Sequence, residues 1–134
     1  MPKPQAPQSQ SAVHKTEVGQ TGELLATQAL EASGLKVLSR NWRGHCGELD
    51  IVALDGAALV AVEVKTRTSL NFGSPAAAIS SGKIARMKRL LCQWLTENRQ
   101  EVPRIRELRL DAVAVLLERR SGGMPVIEHL KGIS

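Results

Sequence analysis

Aromatic residues are scarce in this chain, which has two Trp, one Phe and no Tyr among its 134 residues. Folds that bind single-stranded nucleic acid by stacking, such as the OB fold, rely on several exposed aromatic rings. With three rings in the whole chain, a stacking platform of this kind is not expected. The ring of Trp42 is more simply predicted to pack in the core than against a base.

Cysteine is scarce as well. Cys46 and Cys92 form neither a C-x-x-C pair nor a disulfide framework. A zinc site that adds His45 and His129 to these cysteines lacks the ligand spacing of structural zinc sites and is not expected. Two reduced thiols predict a cytoplasmic protein.

Long apolar stretches are missing too. The first residues have no apolar signal core, and no run reaches the roughly 20 apolar residues that span a bilayer, so no membrane association is expected. Residues 1–15 are rich in Pro, Gln and Ser and are predicted to form a disordered polar tail. The remaining residues, 16–134, have the size and apolar content of a single domain.

Charge is present but unevenly distributed, with a net charge of +5. Residues 1–82 hold seven Lys or Arg against seven Asp or Glu, whereas residues 83–134 hold eleven against six. The whole positive excess therefore lies in the last part of the chain. Such an excess fits a polyanionic partner such as nucleic acid, but it also fits a basic protein that binds none.

The segment 47–67 reads as two apolar strands joined by Asp55-Gly56, a dipeptide typical of two-residue hairpin turns. Side chains alternate between the two faces of a strand. In the second strand this alternation places Glu63 and Lys65 on one face, opposite the valines that flank Glu63. Charged side chains in such apolar strands are costly to bury and suggest a functional site.

In the first strand the same alternation predicts that Glu48 and Asp50 share one face and that Leu49 and Ile51 share the other. Because neighbouring strands lie about 4.8 Å apart, Asp50 and Glu63 are predicted to converge. Two carboxylates this close repel each other unless a cation lies between them, and a hard divalent cation with oxygen ligands meets that need. The pattern therefore predicts a Mg²⁺ site, with Mn²⁺ as a substitute. The other interpretation is an ion pair with a neighbouring lysine that has no catalytic task.

Hydrophobic periodicity and end signals predict the order helix, strand, strand, strand, helix, strand, strand. This order indicates an α/β fold in which helices flank a mixed central sheet. The predicted elements are a helix from Thr16 or Thr21 to Ser33, strands at 37–43 and within 47–67, a helix from Lys83 to Asn98, and strands at 109–117 and 126–130. Ser74-Pro75 is predicted to open a short turn before the second helix, and Ser121-Gly122-Gly123 to form the last turn.

Certain residues stand out by their position in these elements. Gly19 and Gly22 fall on the apolar side of the first helix, where small residues permit a close approach to the sheet. Lys83 falls inside the apolar arc at the first turn of the second helix, where a cation opposes the helix dipole. A phosphate or an acidic partner is therefore expected beside it. Asp111 is either a third acid of the site or, more simply, the partner of Arg109 or of a backbone group.

These residues resemble a known signature. Asp50, followed after a hairpin by Glu63-Val64-Lys65, is similar to the Asp…(Asp/Glu)-x-Lys signature of the restriction-endonuclease-like nuclease superfamily, which includes archaeal Holliday-junction resolvases. The closer resemblance is to the YraN-like family of small bacterial proteins described as endonucleases. It rests on Gly19, Gly22-Glu23, Arg40-Asn41-Trp42-Arg43, residues 47–53 and 62–67, Phe72-Gly73, Pro75, Lys83 and Arg109-Leu110-Asp111.

The resemblance implies a restriction-endonuclease-like core and a Mg²⁺-dependent endonuclease that hydrolyses phosphodiester bonds in DNA or a structured nucleic acid. On this reading Asp50, Glu63 and the Val64 carbonyl ligate the metal, while Lys65 orients or deprotonates the attacking water. The resolvase branch further implies that Glu23 on the first helix completes the metal site. The alternative for Glu23 is an exposed helix glutamate.

Other charged residues are assigned supporting roles. Glu48, on the predicted face of Asp50, is expected to hold the metal ligands in place. The cations expected to contact nucleic-acid phosphates are Arg40, Arg43, Arg67, Lys83, Arg86 and Arg89. A charged helix face is, however, often merely solvated. A homodimer is compatible with this function, and the rival interpretation of the chain is a non-catalytic nucleic-acid-binding accessory module for recombination or repair.

Overall fold

The described residues form two α-helices and five strands. A computed structural model of the chain describes residues 17–68, 79–117 and 124–133. Its elements are helix α1 (Glu17–Ala32), strands β1 (Lys36–Gly44), β2 (Gly47–Asp55) and β3 (Ala58–Arg67), helix α2 (Ser81–Glu97), a 3₁₀ turn (Arg99–Glu101), and strands β4 (Glu107–Leu116) and β5 (Val126–Leu130). The predicted element order is confirmed. The predicted tail 1–15 and the predicted turns at 74–75 and 121–123 lie outside the described residues.

The five strands form one mixed sheet in the order β1-β2-β3-β4-β5. Neighbours are antiparallel except β3 and β4, which are parallel from Ala58/Glu107 to Arg67/Leu116. Parallel neighbours need a crossover connection, and helix α2 lies in the segment that supplies it. The α/β fold with a mixed sheet is therefore confirmed.

Helix α1 packs on one face of the sheet and helix α2 on the other. The α1 face is built from Ala26, Leu30, Leu35, Ile51, Ala53, Ala58, Val60, Val62, Val113 and Val115. The α2 face is built from Leu49, Val52, Leu59, Ala61, Met87, Leu90, Leu91, Trp94, Val102 and Leu110, with Trp42 packed against them. Successive residues of β3 thus enter opposite cores, as strand alternation requires. No helix in the described part of the chain is long and apolar enough to cross a membrane.

The approach of α1 to the sheet depends on a glycine. A Cβ placed on Gly22 would lie only 1.8 Å from the Thr66 Oγ1 atom of β3. Any larger residue would push the helix away from the strand, which explains why a residue of poor helix propensity stands in the buried side of α1. The close approach that was predicted for Gly22 is confirmed.

The start of α2 differs from the prediction by two residues. The helix begins at Ser81 and not at Lys83, because the Oγ atom of Ser80 accepts a hydrogen bond of 3.1 Å from the backbone N–H of Lys83. This is the geometry of an N-cap, in which a side-chain oxygen satisfies one of the first N–H groups of the helix. As a result Lys83 lies inside the first turn, at the end of the sheet where β3 finishes.

The predicted alternation of β2 is wrong at Leu49. Leu49 packs in the α2 core together with Val52, whereas Ile51 packs in the α1 core. The change of face occurs at Asp50, between the register pairs that join β2 to Arg40 and Trp42 of β1. The intervening residue of β1, Asn41, has a left-handed backbone with φ of 52°. The hairpin therefore departs from regular strand geometry at this point, and strict alternation does not extend to Leu49.

Candidate active site

The candidate site lies where strands β2 and β3 separate. Their backbone pairing runs from Asp55/Ala58 to Ile51/Val62. Just beyond the last pair, the backbone N–H of Val64 donates a hydrogen bond of 2.9 Å to Oδ2 of Asp50. A carboxylate thus takes the place of a main-chain carbonyl in the ladder, while β3 stays paired with β4 as far as Arg67. The result is an open gap between the two strands, which we call the fork. It is bounded by the Asp50 side chain and the last residues of β3.

Glu63 brings a second carboxylate to this fork. Its side chain is only 8% exposed, and its Oε2 atom lies 3.5 Å from Lys65 Nζ and 3.2 Å from Lys83 Nζ. Burying a carboxylate is costly unless cations compensate it, and two ammonium groups do so here. Both lysine side chains are about one-third exposed, at 36% and 33%, so the site opens to solvent on the lysine side.

Two sequence predictions agree with this geometry. The predicted meeting of Glu63 and Lys65 on one face is confirmed by their contact. The partner expected beside Lys83 is Glu63, which supplies the negative charge that offsets a cation at a helix N-terminus. Glu63 is a residue of β3, and Asp50 contacts the next residue of that strand, Val64, by accepting a hydrogen bond from its N–H.

Glu23 reaches the same end of the sheet from the other face. It is 7% exposed, so the alternative of an exposed helix glutamate is wrong. Its neighbour Gly22 abuts Thr66, next to the end of β3. Among the described residues, however, no three or more His, Cys, Asp or Glu side chains are grouped so that they could hold a metal ion. The role of Glu23 as a metal ligand stays a prediction.

The oxygen donors at the fork suit a hard divalent cation. The carboxylates of Asp50 and Glu63 and the carbonyl of Val64 are oxygen ligands, which Mg²⁺ and Mn²⁺ prefer. Mg²⁺ commonly takes only one or two protein carboxylates and completes its octahedron with waters and substrate phosphates. Two carboxylates at an open fork are therefore sufficient in number and chemistry.

The β1–β2 turn packs against the middle of α2. The backbone N–H of His45 donates a hydrogen bond of 2.9 Å to Oε1 of Gln93, and a Cβ on Gly44 would collide with that same oxygen at 2.6 Å. The turn therefore packs directly on the helix. A Cβ on Gly47 would lie 3.6 Å from Cδ of Arg86, and Arg43 beside the turn is 58% exposed.

Lys83 and Arg86 lie on one side of α2 because they are three residues apart. Together with Lys65, which shares the Glu63 carboxylate with Lys83, they form a group of three cations, which we call the cationic path. Arg43 and Glu48, 3.8 Å apart, lie at the β1–β2 turn. The other predicted phosphate contacts lie elsewhere on the surface: Arg40 and Arg89 are exposed and Arg67 is half-buried. All six phosphate contacts and the supporting role of Glu48 stay predictions.

Asp111 belongs to a separate ion-pair network on the α1 face. Its fully buried carboxylate accepts hydrogen bonds of 2.9 and 3.0 Å from Arg109, one of 3.0 Å from the N–H of Gly132, and lies 2.7 Å from Nε2 of His129. Arg109 also donates to Asp55 at 2.9 Å. The simpler of the two predictions for Asp111, pairing with Arg109 and a backbone group, is confirmed.

This network shifts the titration of its members. Burial of the Asp111 carboxyl opposes its ionisation, but the hydrogen bonds from Arg109, Gly132 and His129 outweigh burial and hold its pKa below the usual 3.8. The hydrogen bond to Asp111 is the main cause that raises the pKa of Arg109 above its ordinary value. The hydrogen bond from Arg109 is the main cause that lowers the pKa of Asp55. All three groups are therefore charged at neutral pH.

Sequence reasoning missed two features of these sites. The hydrogen bond that the Val64 N–H donates to Asp50 has no sequence signal beyond the acidic residue itself. The pairing of Asp55 and His129 with the Arg109–Asp111 pair joins residues of three strands, β2, β4 and β5. A signal for it was the Arg-x-Asp spacing of Arg109 and Asp111, which puts both side chains on one face of β4.

Fold and site together define a small α/β domain with two carboxylates and two lysines at a fork in its sheet. The model of the Uncharacterised protein family UPF0102 matches residues 22–115, and the chain belongs to this family. This confirms the family to which the sequence was likened. Strands β2 and β3 and the whole of α2, with all residues of the fork, lie within the matched range.

Relatives of similar length support the membership. A UPF0102 protein of Beutenbergia cavernae is 50% identical over 119 residues, covering 89% of this chain and 97% of the relative. A UPF0102 protein of Pseudarthrobacter chlorophenolicus is 46% identical over 120 residues, covering 90% and 87%. One of Streptomyces griseus is 47% identical over 117 residues, covering 87% and 95%.

Proposed function

We propose that this protein is a divalent-metal-dependent endonuclease that hydrolyses phosphodiester bonds in DNA or a structured nucleic acid. The observation that carries the proposal is the fork itself, where Asp50 accepts the Val64 N–H next to Glu63, whose buried carboxylate lies 3.5 Å from Lys65 Nζ. Two carboxylates and a lysine at an opening between two strands are costly for stability alone.

The residues of the fork have distinct tasks. Asp50, Glu63 and the Val64 carbonyl would hold a Mg²⁺ or Mn²⁺ ion, which supplies Lewis-acid polarisation of the phosphate and activation of water. Lys65 holds the attacking water and stabilises the negative charge that grows on the scissile phosphate. Asp50 is oriented for this task by the Val64 N–H, and Glu63 by burial beneath its two lysines. The cationic path binds the phosphates that flank the scissile bond.

The same proposal includes the restriction-endonuclease-like core. It is supported by an antiparallel β2–β3 hairpin that is followed, through α2, by a strand parallel to β3. It also includes Glu23 as an auxiliary ligand, supported by its burial at the end of the sheet where the fork lies. The free, exposed Cys46 and Cys92 support a reducing compartment such as the cytoplasm. Homodimer formation stays a prediction.

The compensation of Glu63 by two lysines favours a second candidate function. A carboxylate already neutralised in this way suits a module that binds nucleic acid without cleaving it, as an accessory in recombination or repair. In that case Lys65 would serve as a phosphate anchor only. The two functions differ in what the loss of Lys65 removes.

Cleavage of a panel of linear, nicked, flap and four-way DNA in Mg²⁺ or Mn²⁺ tests the proposal. Since Lys65 serves the transition state and not the bound ground state, Lys65→Ala should lower cleavage about a hundredfold or more while leaving DNA affinity nearly unchanged. Lys88→Ala, which removes an exposed lysine of α2, is the matched control and should cleave normally. If the wild type cleaves nothing and Lys65→Ala weakens binding, the non-catalytic module is correct.

A further inference from the structure

Lys83 occupies an unusual position for a residue that is expected to bind phosphate. Its ammonium group lies 3.2 Å from Oε2 of Glu63, the same oxygen that Lys65 approaches at 3.5 Å. A lysine so engaged cannot at the same time sit against a phosphate and leave Glu63 open to a divalent cation. The ammonium group and a metal ion compete for one carboxylate oxygen.

Lys83 can leave Glu63 without any movement of the backbone. It comes from the first turn of α2, a different element from the strand that carries Glu63 and Lys65. Its backbone is fixed by the Ser80 cap, so that only the flexible side chain needs to move. With the side chain one-third exposed, it can turn from Glu63 toward solvent and toward the neighbouring Arg86 of the cationic path.

We propose that Lys83 is a latch on Glu63 that couples metal binding to nucleic-acid binding, an inference that rests on the proposed function. In the free protein Lys83 neutralises Glu63 and opposes entry of a divalent cation. A bound nucleic acid offers a phosphate as the new partner of Lys83, and Glu63 then becomes available to the metal. Lys83 is thus a positioning residue, and the metal ion binds to the site chiefly when substrate is present.

The size of the effect follows from Coulomb's law. A unit positive charge about 5 Å from a divalent cation weakens its binding about tenfold even in a water-like dielectric. Coupling between two ligands is reciprocal, so the metal must strengthen nucleic-acid binding by the same factor. The latch therefore contributes about a tenfold coupling in both directions.

Titration calorimetry of the full chain with MnCl₂, with and without a short phosphorothioate DNA duplex, tests this. Lys83→Gln should bind Mn²⁺ about tenfold more tightly than the wild type in the absence of DNA, since the opposing charge is gone. The gain in Mn²⁺ affinity that DNA produces in the wild type should shrink by the same factor. Lys83→Arg should keep the coupling, and Lys88→Gln on the same helix should behave as wild type.

A second measurement separates the latch from a simple phosphate contact. In EDTA, Lys83→Gln should bind the duplex within about twofold of the wild type, because the phosphate contact that Lys83 gains is offset by the loss of its contact with Glu63. In Mn²⁺ it should bind the duplex about tenfold more weakly. An ordinary phosphate contact would weaken binding equally under both conditions, and that result would overturn the latch.

The outcomes distinguish this inference from the proposed function. Equal Mn²⁺ affinity in the wild type and Lys83→Gln would overturn the latch and leave the metal site in place. No Mn²⁺ binding by the wild type, with or without DNA, and none by Lys83→Gln would overturn the metal site and the latch together.

Discussion

Replacing Asp50 by Asn separates its two tasks, the hydrogen bond to β3 and the binding of a metal. In Asp50→Ala the partly buried N–H of Val64 loses its acceptor, which costs about 1–3 kcal/mol. Asn keeps an oxygen in the same place but lacks the charge that makes the bond strong. We expect Asp50→Asn to lower the free energy of unfolding by only about 1 kcal/mol.

The loss of metal binding should be complete in the same variant. For the wild type, a Mn²⁺ concentration ten times the Kd raises the free energy of unfolding by about 1.4 kcal/mol. For a domain of this size that gain corresponds to a rise in Tm of about 4 °C. Asp50→Asn removes one of two charged ligands, so its Tm should move by less than about 1 °C in the same solution.

Scanning calorimetry in Mn²⁺ and in EDTA measures both effects. Asp55→Asn is the matched control, because Asp55 is an aspartate of the same strand that lies outside the fork, in the Arg109 network. It should lose stability yet keep the full Mn²⁺ shift. If Asp50→Asn keeps the wild-type shift, Asp50 is not a metal ligand. If Asp50→Ala is as stable as Asp50→Asn, the hydrogen bond to Val64 is not needed for the fork.

Three further predictions concern packing, titration and phosphate binding. Gly22→Ala gains about 1 kcal/mol of helix propensity, but its methyl group meets Thr66, so urea unfolding should show a net loss of about 1–2 kcal/mol; increased stability would contradict the close approach. Asp111→Asn should lose about 3 kcal/mol at pH 7. Because the folded pKa of Asp111 lies below 3.8, its contribution is fully present above the unfolded value near 4 and is lost as the pH falls through the folded value, so the wild type should lose more stability than Asp111→Asn below about pH 4, and parallel curves would contradict this. Arg86→Ala with Arg89→Ala should make the slope of log K against log salt shallower by about one to two units, and an unchanged slope would place both arginines on an idle surface.

Local patterns carried most of the fold. The Asp55-Gly56 dipeptide located the β2–β3 hairpin, although the two-residue turn is Gly56-Ala57 and Asp55 ends β2. Strict alternation placed Glu63 beside Lys65. The 3.6-residue period located both helices, and the misfit of Lys83 in an apolar arc predicted an acidic neighbour. These inferences succeeded because each depends on residues close together in one element.

Features that depend on distant residues could not be predicted in the same way. The change of face at Leu49 lies opposite a left-handed residue, Asn41, in the partner strand, and no pattern in β2 itself signals it. The pairing of Lys83 with Glu63 needs the exact start of α2 as well as the crossover that sets it against β3. The identity of the acidic neighbour was therefore open until both elements were in place.

The hydrogen bond that Asp50 accepts from the Val64 N–H gives a physical reason for the position of the fork. A strand pair separates without loss only if the backbone groups released at the split find other partners. Asp50 provides such a partner for the Val64 N–H and ends the β2–β3 ladder beside Glu63. An apolar residue at position 50 would leave that N–H unsatisfied, so the carboxylate that is proposed to bind the metal also stabilises the opening in which the metal would sit.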